Sequence, residues 1–281
     1  VSAMNDYAQT TKRIRNARHA YYGMISYVDD KVGQIISALE VSGQRDNTIV
    51  LFVSDHGEML GERGMWYKMS FFEWSARIPI IINAPNRFAS NRVATPVSLV
   101  DILPTLTHIG SVDDDPVNVR PLDGKSLISL AEETCDDRSI YGEHLGEGAI
   151  SPLLMIRRGN YKYIFSEPDP EQLYDISTDP SERDNLVGQP QYESLRRQFH
   201  TELKEKWDVD GLHKQVIASQ RSRRFIDRAL RKGLHTPWDF QPFEDSSLKY
   251  MRNHLNLNTL EKNARYPSPQ IQPLDGPSKS D

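Results

Sequence analysis

Apolar and polar positions along this chain follow first a helical and then a strand period, and their order outlines the fold. From Ala17 to Val41 the residues Met24, Ile25, Val28, Val32, Ile35, Ile36 and Leu39 recur at helical spacing, and Gly43 stands where such a helix would stop. Asp46-Asn47 then turns into Thr48 to Ser54, a β-branched and aromatic run that predicts a strand buried on both faces, as in a parallel sheet. A second buried strand is predicted at Ile78 to Ile82. Ser98 is placed to cap a helix through Leu99, Ile102, Leu103, Leu106 and Ile109, with Pro104 in its first turns. Helices alternating with strands in this way predict an α/β fold.

From Arg138 the texture changes. Short runs at Ile140-Tyr141, Leu153 to Arg157, Tyr161 to Phe165 and Gln172 to Ile176 are parted by turns such as Arg158-Gly159-Asn160. They predict a four-stranded antiparallel sheet in a smaller α+β subdomain. An amphipathic helix follows over Gln191 to Trp207, and another from Gly211 to Lys232. The tail from Tyr266 has four prolines and reads as disordered or laid across another surface.

Composition narrows the class. At 281 residues, 38% hydrophobic and 26% charged, the chain can bury a sizeable core. No stretch approaches the roughly 20 apolar residues of a membrane span, and no secretory pattern opens the sequence. A net charge of -5 gives no reason to expect nucleic acid. Cys135 is the single cysteine, so no intrachain disulfide can form, and no Asn-x-Ser/Thr site occurs; both lean towards a reducing cytoplasm. Arg221, Arg223, Arg224, Arg228, Arg231 and Lys232 could grip phosphates, but the acidic total favours a solvated or subunit-facing helix side. Only one helix and one strand precede the Asp55-His56 pair, too few for a parallel sheet. The chain therefore reads as the carboxyl-terminal part of a longer protein.

The candidate chemistry gathers where the first strand ends. Ile49-Val-Leu-Phe-Val-Ser runs straight into Asp55-His56-Gly57-Glu58, and function in open α/β sheets collects beyond the carboxyl ends of strands. Neighbouring carboxylate and imidazole suit a divalent metal, with Gly57 letting the backbone turn sharply. The plainer alternative is a strand-ending turn with a surface histidine. Residues 55 to 77 show no periodicity and read as a binding loop, in which Lys68 offers a point charge to a tetrahedral oxyanion. Glu58 would either hydrogen-bond its own loop or orient His56. Arg77 reads as an ion-pair partner, Asp101 as a buried capping or pairing group, and Cys135 as inert.

Taken in order, the Tyr22 to Leu39 helix, Asn47 to Glu58, Gly64-Met-Trp-Tyr-Lys68, Arg77 to Ile82 and Val97-Ser-Leu-Val-Asp-Ile-Leu-Pro-Thr105 resemble the second half of a type I sulfatase, a member of the alkaline phosphatase superfamily. Ser54 to Pro79 and His213 to Pro267 resemble the choline-sulfatase group in particular. The resemblance implies an alkaline-phosphatase-like sandwich, of which residues 1–135 would be the carboxyl-terminal part. Residues 136–210 would be the small antiparallel subdomain, and 211–281 a helical extension through which the protein forms a homo-oligomer. It further implies that Asp55 and His56 are metal ligands and that Lys68 contacts sulfate. His56 replaces the asparagine of many sulfatases, so manganese is admitted beside calcium and magnesium.

The implied substrate is choline sulfate. A quaternary ammonium calls for aromatic faces and a carboxylate. Trp66, Tyr67 and Trp74 offer the faces; Glu147 is the preferred acid, with Glu143 and His144 as competitors. The same aromatics also read as core anchors, and the acids as solvated loop residues. The family nucleophile is a formylglycine made in a Cys/Ser-x-Pro/Ala-x-Arg motif, expected upstream; Thr134-Cys135-Asp136-Asp137-Arg138 does not match it. The expectation is that residues 1–281 alone hydrolyse no sulfate ester. Rival readings are a phosphonate monoester or phosphodiester hydrolase of the same superfamily, and a non-catalytic oligomerisation module.

Overall fold

A computed structural model of the chain describes residues 10–84, 86, 87, 89–111, 121–132, 138–146 and 148–233. Two units divide it, Val1–Val216 and Ile217–Asp281. In the first, α1 (Thr11–Val41) leads to β1 (Val50–Val53), α2 (Glu73–Ala76), β2 (Ile80–Asn83), α3 (Ile102–Gly110) and α4 (Leu127–Glu132). There follow β3 (Ser139–His144), β4 (Leu153–Arg158), β5 (Tyr161–Phe165), β6 (Gln172–Asp175) and α5 (Glu193–Lys206). The last described helix, α6 (Val209–Leu230), crosses the boundary, and residues 217–233 are the described part of the second unit.

The helices begin and end where local chemistry dictates. Thr10 caps α1 by accepting the Arg13 amide, and Gly43 leaves the helix at φ +69°. Ser98 and Asp101 form a reciprocal capping box ahead of α3. Asp101 is fully buried and also accepts from the Lys125 amide at 2.9 Å and from both terminal nitrogens of Arg138, which fits the capping and pairing role its position predicts.

The four later strands form one antiparallel sheet in the order β3-β4-β5-β6, with α/β elements before it. Their period-two alternation sorts two faces. Leu154, Ile156, Tyr163 and Leu173 pack with Phe199, Leu203 and Trp207 in the main core. Met155, Ile164 and Tyr174 point the other way and meet Phe71 and Phe72. One face of the sheet therefore carries α5 and the other carries the segment that enters α2.

Lys162 holds that second contact. It lies on β5 between two core tyrosines, so its side chain must leave on the opposite face. It is buried there with three acceptors. Its Nζ donates to the Phe71 carbonyl at 2.8 Å and pairs with Glu182 at 2.7 Å and Glu73 at 2.5 Å. Glu182 in turn accepts the Glu73 amide at 2.6 Å. Burial pushes the Glu182 carboxyl above its ordinary range, with the Lys162 charge opposing the shift.

One expectation is corrected. β1 pairs with β2 in antiparallel fashion, and it is half-buried rather than enclosed on both faces, with Val53 37% and Ile81 56% exposed. The apolar run reports the hydrophobicity of a strand and carries nothing about the direction of its neighbour. Met24, Ile25, Val28 and Ile35 of the α1 stripe are likewise exposed. Among the described residues no helix is long and apolar enough to cross a membrane. Glu147, Cys135, the 113–116 segment and the proline-bearing tail lie outside the described residues.

Replacing Lys162 with Met would strand two carboxylates against the sheet. Loss of one partner of such a buried pair costs about 3–5 kcal/mol. A urea midpoint that falls accordingly is the expected result; an unchanged midpoint would contradict the role given to Lys162.

Candidate functional site

At the end of β1 the backbone folds into a tight turn that its own side chains fix. Ser54 Oγ donates to the His56 carbonyl at 2.9 Å, and the His56 amide donates to Asp55 Oδ1 at 2.9 Å. That amide is the first cause holding the Asp55 carboxyl below the usual range; the charges of His56 and Lys68 act the same way, and partial desolvation opposes them. Lys68 is the smallest of these influences.

The imidazole is oriented by a carbonyl. His56 Nδ1 lies 2.8 Å from the Gly57 oxygen, which can only accept, so Nδ1 carries the proton. In the neutral ring Nε2 then presents a lone pair, 3.3 Å from Asp55 Oδ2. Two electron-rich atoms face each other at the surface, Asp55 with 80% of its side chain exposed and His56 with 37%. With the ring neutral, such a pair can share one cation; with it protonated, the two form an ion pair. The spacing suits two adjacent ligands of one ion with bonds of about 2.3 Å, and the carbonyl-to-imidazole bond is the usual way a ligating histidine is fixed. The donor set fits a divalent ion. Among the described residues no cluster of three or more His, Cys, Asp or Glu joins it.

The loop after the turn is folded back on itself. Gly57 is compelled by space, because its amide donates to the Ser75 carbonyl at 2.7 Å and a Cβ there would collide with the Trp74 carbonyl. Leu60, Arg63 and Tyr67 all have positive φ, at 46°, 54° and 67°. Non-glycine residues persist there only when their surroundings hold them. For Leu60 and Tyr67, Glu58 does so by accepting from their amides at 3.2 and 2.6 Å, which decides between the two roles its position allowed. Arg18 of α1 adds a bond to the Leu60 carbonyl at 3.0 Å and pairs with Glu62 at 2.5 Å.

Lys68 is exposed, Trp66 half-buried, and Tyr67 and Trp74 largely exposed. On β3, Glu143 accepts the Trp207 indole N–H at 2.6 Å, and His144 is half-buried at the strand's last position. Sequence patterns gave no notice of Ser75, Lys162 or Glu182. A serine in a four-residue helix and a lysine within a strand have no distinguishing spacing; a lysine amid β-branched and aromatic neighbours was the one hint of a buried charge.

Comparison with known proteins places the chain in a family. The sulfatase model matches residues 2–111, and the model for the carboxyl-terminal part of N-sulphoglucosamine sulphohydrolase matches 61–208. The chain belongs to the sulfatase family. The model for the carboxyl-terminal part of choline sulfatase matches 214–266. Choline-sulfatase of Rhizobium meliloti is 40% identical over 92% of this chain and 51% of its own length. Arylsulfatase K of Danio rerio is 32% identical over 75% of the chain and 45% of its own length. The chain thus spans about half the length of the curated relatives it matches. Among solved structures, the phosphonate monoester hydrolase of Agrobacterium radiobacter superposes with a TM-score of 0.57 at 28% identity, over 74% of this chain and 43% of that one.

Gly57→Ala should dislodge the turn from Trp74 and Ser75. The expected cost is about 1–3 kcal/mol, the range for overpacking a closed site. Urea unfolding and NMR shifts of the His56 ring would both move; an unperturbed ring would show that the turn does not depend on this approach.

Proposed function

We propose that this chain forms part of a sulfuric ester hydrolase acting on choline sulfate, to which it contributes two metal ligands and one sulfate contact. The observation that carries this reading is the His56 ring, turned by Gly57 so that Nε2 and Asp55 Oδ2 converge at the end of β1, ahead of the loop that bears Lys68. A bound calcium, manganese or magnesium ion would polarise the sulfate oxygens. Asp55 and His56 would hold that ion, and Lys68 would offer its positive charge to the sulfate oxygens. The nucleophile is not among these residues, since no Cys/Ser-x-Pro/Ala-x-Arg motif occurs in the sequence.

Choline sulfate is favoured by the 40% identity to a choline-sulfatase and by the match of the choline-sulfatase carboxyl-terminal model. Glu147 remains the acid assigned to the quaternary ammonium. A second reading, hydrolysis of phosphonate monoesters, is supported by the likeness to a phosphonate monoester hydrolase.

Calorimetric titration of the chain with manganese should show binding that Asp55→Ala or His56→Ala weakens about tenfold or more, consistent with the sensitivity of metal sites to their ligands and supports. Ion chromatography should detect no sulfate from residues 1–281 alone. The enzyme that contains them should release it from choline sulfate in preference to an aryl sulfate or a phosphonate monoester. Equal or greater turnover of the phosphonate would favour the second reading, and turnover by the isolated chain would refute the division of labour.

A further inference from the structure

We propose that Glu58 and Ser75 are positioning residues for Lys68, clamping its backbone from both sides and so registering its ammonium against the Asp55-His56 pair. This rests on the assignment of Lys68 to the sulfate. On the amino side, the Tyr67 amide donates to Glu58 Oε1 at 2.6 Å while the Tyr67 carbonyl accepts from the Met59 amide at 2.9 Å. On the carboxyl side, the Lys68 carbonyl accepts from Ser75 Oγ at 2.6 Å and from the Ser70 amide at 2.8 Å.

Both clamps are continuous with the metal pair. Glu58 follows His56 by two residues. Ser75, only 2% exposed, uses its own carbonyl to take the Gly57 amide at 2.7 Å. One serine therefore holds the turn bearing the acceptors with its main chain and the segment bearing the ammonium with its side chain. It is itself fixed, because its amide donates to the Phe72 carbonyl at 2.8 Å and α2 is anchored through Glu73 to Lys162 and Glu182. Tyr67, at φ 67°, sets the direction in which Lys68 leaves the loop, and the Glu58 carboxylate stabilises that unfavourable backbone.

A lysine has a long flexible stem, so the protein can register its charge only by fixing the backbone and limiting the swing. Ser75→Ala removes the clamp on Lys68 and leaves the carbonyl on Gly57 intact. Metal binding and use of the lysine thereby become separable.

The test is a double-mutant cycle in the enzyme that contains this chain, with steady-state kinetics on choline sulfate and calorimetric manganese titration. Lys68→Ala should lower kcat/KM. Ser75→Ala and Glu58→Ala should each lower it roughly tenfold to a hundredfold, as misplacement of a contacting group does. Manganese affinity should stay within about threefold of the parent, well below the tenfold change expected of a lost metal ligand or its support. Glu58→Gln, which keeps an acceptor oxygen, should recover most of the Glu58→Ala loss. In the Lys68→Ala background Ser75→Ala should cost nothing further. An equal cost in both backgrounds would overturn the positioning role while leaving the assignment of Lys68 standing; a Lys68→Ala enzyme with parental kcat/KM would remove that assignment and this inference with it. If Glu58→Ala fails to fold, Ser75→Ala and Glu58→Gln carry the comparison.

Discussion

The buried ammonium of Lys162 is the constraint on which the arrangement of the site depends. A lysine taken out of water is tolerated only when its charge is paired and its protons are bonded. Here the partners are Glu182, Glu73 and the Phe71 carbonyl. Two of the three belong to the segment that enters α2, so satisfying the lysine brings that segment to the sheet. Through Ser75 the same anchorage reaches Gly57 and Lys68. A four-residue helix has little stability of its own, and this ion cluster explains why α2 stands where it does.

In the turn itself the main chain is satisfied by neighbouring side chains, and the His56 ring and Asp55 carboxylate are left facing each other. With Nδ1 committed to the Gly57 carbonyl, the neutral ring of His56 and the carboxylate of Asp55 are both acceptors. The Lys68 side chain is exposed on the loop that follows. Under the proposed assignment, a metal at the two acceptors and a tetrahedral anion at Lys68 would neutralise complementary charges.

Much of the fold was legible in the order of apolar residues. The α1 stripe, the Ser98 cap, the four short strands and the α5 helix were all marked by period and by turn residues, since these signals are local. The direction of β1 was not, because strand pairing is decided by a segment some thirty residues away in the register Val50 to Asn83 and Val53 to Ile80. Asp55 and His56 stood out because a polar cluster ended an apolar run, and Lys68 because it lay in the aperiodic loop that follows. Glu58 was visible, though which of its two tasks it performs was not.

The sequence by itself determined the local elements, the residue types at the strand end and the family they resemble, because each depends on neighbours within a few positions along the chain. The tertiary structure alone decided which nitrogen of His56 faces Asp55, that Gly57 must pass beneath Trp74, and that Ser75 joins Lys68 to the turn. It also decided that a strand lysine and Glu182, twenty residues apart, form the buried pair holding the loop. These are contacts across the fold, fixed by hydrogen-bond direction and by the exclusion of water, and no spacing along the chain encodes them.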